Sequence, residues 1–240
     1  MRSAVFERPR LVVSASLVIA LLTAGVTATR APAAPEARAL PPIPAGLTAL
    51  ESNAEDLVDD ALGHDRTRVV ATSNALSASA GAATGKTLLA AGVPARQIAL
   101  VRARVARVAR DAHAAPYVVV ALDANAVSTA VTELYLHFAD RVPIAVRRLD
   151  TIDRDAQLRS LAGQRAAVPL VVVRLEKTWA PLRQHVIDHG GQTVAAAYAR
   201  HVAAMKHLAA AGQPVPQRGR QWPEHRRRAR GRLHVITRPG

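Results

Sequence analysis

Pro116-Tyr117-Val118-Val119-Val120-Ala121-Leu122-Asp123 sets three β-branched residues in a row, and its reading as strand or helix decides the fold class. Local preference alone favours a strand. The downstream residues favour a helix. Tyr117, Val120, Ala124, Val127, Val131, Leu134 and Phe138 recur at three- and four-residue steps, the spacing that keeps one face of a helix apolar. Pro116 suits the first position of that helix, where its missing N–H costs nothing. The helix must end before Pro143. A second stretch, Pro169-Leu170-Val171-Val172-Val173-Arg174-Leu175-Glu176, is similar in pattern. It fits either a duplicated helical hairpin or chance in a chain rich in Ala and Val.

The same spacing extends in both directions. Ile98, Val101, Val105, Val108 and Ala112 alternate with Arg102, Arg104, Arg107 and Arg110, giving an amphipathic helix with a basic outer face. Thr48 and Glu51 form a capping-box pattern, and Leu50, Ala54, Leu57 and Ala61 come after it. One long helix from Thr48 to Ser79 is expected, then a connection from Gly81 to Pro94 with at most one short turn of helix. Downstream, Leu158, Leu161, Val168, Val172, Leu175, Trp179, Leu182 and Val186 mark one helix that an internal proline should kink or split. It should close at His189-Gly190-Gly191. Val194, Tyr198, His201, Met205 and Leu208 mark the last helix, ended by Gly212 and Pro214. The expectation is an all-α fold: an antiparallel bundle of four or five amphipathic helices over residues 47–212.

The ends are of different character. Arg2, Arg8 and Arg10 precede an uncharged apolar run from Leu11 to Ala28, and small residues come next. This reads as a signal peptide over residues 1–33, cleaved near 28 or 33. An uncleaved anchor is the alternative. A Pro/Ala-rich linker, 34–46, leads into the helices. The pattern is that of an exported bacterial protein, periplasmic or secreted. Net charge is +14, split as +3 over residues 1–46, +4 over 47–212 and +7 over 213–240. The strong positive field therefore belongs to the last segment, which lacks periodicity and reads as a disordered tail. Arg226, Arg227, Arg228, Arg230 and Arg232 there suit an anionic envelope polymer or membrane surface. Outside the cytoplasm, nucleic acid is the poorer fit. The chain has no Cys, which excludes lipoprotein anchoring, thiolate metal sites and covalent c-type haem, and leaves stability to packing.

Four patterns carry possible chemistry. Gly81-Ala82-Ala83-Thr84-Gly85-Lys86-Thr87 approximates a phosphate-binding loop, with Lys86 for outer phosphates and Thr87 for magnesium. Asp123, closing an apolar run, would then be the second magnesium ligand. The segment before Gly81 is polar and rich in Ser and Ala, however, where such a loop needs a buried strand. His185 and His189 share a helical face, a spacing that holds a metal or simply suits a helix C-terminus. Tyr198, His201 and Met205 lie along one helical seam. With Trp179 they suit a ligand-binding pocket, and a hydrogen-bonded core His is the plainer alternative. Glu51, Glu55 and Asp59 form an acidic stripe, expected as a solvated face paired with the Arg-rich helix. Arg165, on the seam of Leu161 and Val168, must either find a partner such as Asp59 or Asp65 or reach solvent. Asn125 lies beside an apolar seam, where it would set register. No nucleophile–base set stands out. The chain reads as a non-enzymatic binding or accessory protein for a metal or small ligand.

Overall fold

The computed structural model describes residues 39–140 and 142–215. The expected signal peptide, the first part of the linker and the tail arginines lie outside the described residues. Among the described residues the chain is all helical: α1 (Ala45–Leu62), α2 (Arg66–Ser79), α3 (Ala82–Ala90), α4 (Ala95–Asp111), α5 (Tyr117–Leu134), α6 (Ile144–Leu161), α7 (Val168–Asp188) and α8 (Gln192–Ala210). Single 3₁₀ turns at Tyr135–His137 and Arg165–Ala167 link α5 to α6 and α6 to α7. Both Val triplets are helical, so the heptad spacing outweighs local β preference.

Among the described residues eight helices replace the four or five expected, because one periodic run is divided by a break and α3 and α6 form largely in segments where the spacing assigns no helix. The run from Thr48 to Ser79 divides at Gly63-His64-Asp65. Gly63 ends α1, His64 takes a left-handed φ of 57°, and the Asp65 side chain accepts the Arg68 N–H to start α2. The Gly81–Pro94 connection contains α3. Residues 144–157, to which the spacing assigns no element, form most of α6. The run from Leu158 to Val186 is not one helix: α6 stops at Leu161, and α7 starts afresh with Pro169 in its first turn and Pro181 inside it. Gly190 does take the left-handed position beyond α7, at φ 82°.

Proline is the recurrent starter. Pro44, Pro94, Pro116 and Pro143 stand immediately before α1, α4, α5 and α6 in extended conformation. Proline fixes φ near the value these positions need, but it provides no side-chain cap. Arginines satisfy carbonyls at the other ends. Arg66 donates to the Ala112 and Ala115 carbonyls beyond α4, at 2.7 Å each, and Arg102 donates to the Ala80 and Gly81 carbonyls beyond α2. The Ala80, Ala112 and Ala115 carbonyls lie past the last turns of their helices, where a cation also complements the helix dipole, while the Gly81 carbonyl additionally accepts the Gly85 N–H.

Helix α5 packs against α1, α4 and α6, while α7 joins α6 to α8. It and the turn after it are long and apolar enough to cross a membrane, yet Val120, Ala124, Val127, Val131 and Leu134 are buried against other helices. The apolar side chains form two clusters. One is built from α1–α5 around Leu50, Leu57, Val69, Leu76, Val105 and Leu134. The other comes from α6–α8, with Leu149, Ile152, Val172, Leu175 and Met205. Helix α6 belongs to both, giving Ile144 and Leu158 to the first and Leu149, Ile152 and Ala156 to the second.

A polar seam holds α6 in that shared place. The acidic stripe of α1, expected as a solvated face paired with the Arg-rich α4, instead meets the arginines of α6. Arg147 binds Glu51 at 2.6 Å and Asp140 at 2.7 Å, and its guanidinium lies 3.8 Å from the Tyr135 ring centre. The Tyr135 hydroxyl donates to Glu51 at 2.6 Å. Arg154 reaches Glu55 and Asp150. Burial pushes the Arg154 guanidinium down, but Asp150, Glu55 and Asp59 more than offset it, leaving it above its ordinary value. Arg148 pairs with Glu133, and Asn125 donates to the Thr151 carbonyl at 3.0 Å. Arg165 reaches solvent in the turn between α6 and α7, one of the two outcomes its position allows, and the seam's cations are Arg147 and Arg154, with side chains 18% and 15% exposed.

The seam generates two expectations. Arg154→Ala leaves Glu55, Asp59 and Asp150 without their shared cation and should cost about 3–5 kcal/mol, read by urea denaturation; a loss below about 1 kcal/mol would show the pairing to be superficial. Tyr135→Phe should cost about 1.5–3 kcal/mol at neutral pH, the range for a hydrogen bond to a charged group. Burial, then the Glu51 hydrogen bond, raises the Tyr135 pKa above its ordinary 10.0. The folded state therefore holds this proton more tightly, and the contribution is complete below pH 10 and lost above it. The gap between wild type and Tyr135→Phe should narrow as pH rises from 10; a constant gap contradicts the linkage.

Candidate functional site

Helices α6, α7 and α8 bring together three of the four side chains singled out in the sequence, with the fourth in the same apolar cluster. On α8, Ala195, Val202, Met205 and Ala209 are buried at three- and four-residue steps, with Tyr198 on the same face and His201 at its edge. Met205 is fully buried among aliphatic neighbours, which is the environment of a core side chain. From α7, Trp179 lies against Tyr198, ring centres 4.6 Å apart and tilted by 52°. Tyr198 in turn lies 5.7 Å from His201. Such tilted aromatic pairs are favourable beyond the area they bury.

The residue that completes the group is one that the sequence patterns do not single out. Asp153 of α6 is 1% exposed, and its Oδ1 lies 3.0 Å from His201 Nε2. A signal for it exists: Asp153 falls beside Leu149, Ile152 and Ala156, so a carboxylate stands on the apolar face of α6. A charge is conspicuous on an apolar stripe only once the stripe is seen, and residues 144–157 show no clear stripe in the sequence. His201 is 28% exposed in its side chain. It thus spans from a buried anion to the surface. The indole Nε1 of Trp179 is buried without a hydrogen-bond partner among the described residues, an uncommon condition for a strong donor.

The other patterns sit elsewhere and apart. Gly85, Lys86 and Thr87 lie within α3, not between a strand and a helix. The Gly85 N–H already bonds the Gly81 carbonyl at 3.1 Å, Thr87 bonds back to the Ala83 carbonyl, and Lys86 is exposed. A Cβ at Gly85 would meet the Arg102 guanidinium, the far end of a flexible side chain that can shift away. The cavity beside it, lined by Leu50, Thr84, Leu88 and Arg102, is about 10 Å³, room for a single water. Asp123 is on α5 and pairs with Arg107 at 3.1 Å. Burial, then neighbouring Asp111, raises its pKa. The phosphate-loop geometry is therefore missing at each of its parts.

His185 and His189 are exposed at the end of α7, with ring centres 4.2 Å apart and His189 Nδ1 2.8 Å from the His185 carbonyl. Asp188 beside them is engaged with Gln184. Among the described residues no three His, Asp or Glu side chains gather as a metal site requires. The tail residues Arg226, Arg227, Arg228, Arg230 and Arg232 lie outside the described residues. Comparison with protein-family models, curated proteins and solved structures gives no match to this chain.

His201→Ala should lower stability by about 1–3 kcal/mol, because it withdraws a hydrogen bond from a buried carboxylate. Asp153→Asn retains an acceptor for Nε2 and should cost less. Denaturant unfolding tracked by circular dichroism reads both, and a His201→Ala protein as stable as wild type would mean that the bond contributes nothing to the fold.

Proposed function

We propose that the chain is an exported, non-enzymatic binding or accessory protein of the cell envelope. It is an antiparallel helical bundle whose α6–α8 half binds a small ligand at Asp153, His201, Tyr198 and Trp179. The observation that carries the reading is the Asp153–His201 contact: a partly exposed imidazole held from behind by a buried carboxylate. A neutral imidazole bonded this way keeps its proton on Nε2 and offers Nδ1 as an acceptor. The fixed orientation supplies directionality, and the Tyr198 and Trp179 rings supply an apolar wall beside it. The ligand chemistry this favours is a planar or apolar body carrying a hydrogen-bond donor. A metal is less well supported, because among the described residues no group of three His, Asp or Glu side chains gathers to complete a ligand set. Support for export comes from the basic start, apolar run and small-residue exit over residues 1–33. Support for a binding role over catalysis is that the polar groups around α6 are committed to holding helices together.

Native mass spectrometry of the protein purified from the exported fraction tests this directly. A mass above that of the polypeptide, absent from His201→Ala prepared identically and still folded, is expected. A bare polypeptide mass in both, or an adduct that survives the substitution, overturns the assignment of the site.

A further inference from the structure

Between Asp155 and Glu176 the sequence contains no acidic residue, while Arg159, Arg165 and Arg174 fall within it and Lys177 stands just beyond. This segment makes the corner where α6 ends and α7 begins. Three large aliphatic side chains are displayed there: Leu170 is 71% exposed, Val173 44% and Leu161 40%. Among the described residues the other exposed leucines, Leu40, Leu62, Leu89, Leu100 and Leu136, stand on separate segments, and single apolar side chains at a surface are ordinary. At the corner, Leu161 ends α6 and Leu170 and Val173 stand in the first two turns of α7. Leu170 and Val173 lie three residues apart and therefore side by side on the outer face of α7. Ala166 and Pro169, both exposed, extend that apolar face toward the corner.

The surrounding charge is of one sign. Arg165, Arg174 and Lys177 are exposed on or beside this face. The nearest acid, Glu176, is engaged with Lys206 at 2.9 Å, and Arg159 with Asp155 at 2.9 Å. Among the described residues no ion pair is formed by Arg165, Arg174 or Lys177. An apolar patch rimmed by uncompensated cations restricts its partner. A second copy would set like charges against each other. A soluble polyanion would leave the aliphatic side chains in water. An anionic lipid surface meets both halves, with headgroup charge for the arginines and lysine, and acyl-chain boundary for Leu161, Leu170 and Val173.

We propose that the α6–α7 corner is a docking surface for an anionic lipid bilayer. It inserts Leu161, Leu170 and Val173 shallowly, while Arg165, Arg174 and Lys177 lie at the headgroup level. The surface is distinct from the His201 cluster and does not depend on it.

The absence of Cys in the chain makes the test site-specific. Leu170→Cys carries an environment-sensitive fluorophore in the full chain, and Thr67→Cys on exposed α2 serves as the control. Each is mixed with phosphatidylglycerol-containing vesicles or with phosphatidylcholine vesicles alone. The expected result is a blue shift and a severalfold intensity rise at position 170 with the anionic vesicles only. High salt should reverse it, and position 67 should stay unchanged. Vesicle sedimentation without a shift at 170 would assign binding to other basic segments and overturn the proposal. So would an equal shift with neutral vesicles, a shift without vesicles that grows with protein concentration, or neither shift nor sedimentation.

Discussion

Everything around α6 depends on the meeting of its arginines with the carboxylates of α1. A guanidinium removed from water is tolerable only where anions compensate it, and Arg154 has Glu55, Asp59 and Asp150 around it. The geometry demanded is narrow. Arg147 must reach Glu51 and Asp140 together while lying over the Tyr135 ring. A sliding of α6 by one turn would break both arginine sites at once. The ion pairs thus act chiefly as a register. They set where α6 lies, and α6 in turn carries the whole α6–α8 cluster, including Asp153 and the imidazole it holds.

The apolar packing permits this arrangement without dictating it. Only 3% of residues are aromatic, so the cores are filled by Leu, Val and Ala. Ala54 and Ala61 on α1, and Ala121 and Ala124 on α5, are fully buried, and small side chains let helices approach closely. Aliphatic contacts of this kind are weakly directional. Specific placement has to come from groups with geometry: the Asn125 amide on the Thr151 carbonyl, the Arg66 and Arg102 caps, and the seam beside α6. Aromatic side chains stand where direction matters, with Tyr135 under Arg147 and Trp179 against Tyr198.

Helix is legible in the sequence wherever apolar residues keep their spacing for two turns or more, which is why the Val triplets read as helix and the last helix is well placed. Breaks are less legible. Gly63-His64 hardly disturbs the apolar period, so α1 and α2 read as one rod; only the left-handed His64 and the Asp65 cap reveal the corner. Helix α6 is hidden because arginines and acids stand between its apolar residues along most of its length, masking Leu149, Ile152 and Ala156. That one omission has two costs. It hides Asp153, and it leaves the α1 stripe without its true partner, so that the Arg-rich α4 looks like the natural one. The grouping of Trp179, Tyr198 and His201 can be read from helical phase alone, since each falls on the apolar side of its own helix. What they surround cannot, because that depends on a residue from a third helix.

The seam also fixes an order of events during synthesis. Arg147 finds Glu51 across 96 residues, and Arg154 finds Glu55 across 99. Helix α1 is made first and its acidic stripe is complete early, yet the cations that match it arrive only after five helices have been built. Until then the stripe repels itself and holds no neighbour of opposite charge from α6. Pairing of α1 with α6 is thus a long-range step, whereas α6, α7 and α8 share an apolar cluster that takes nothing from α1.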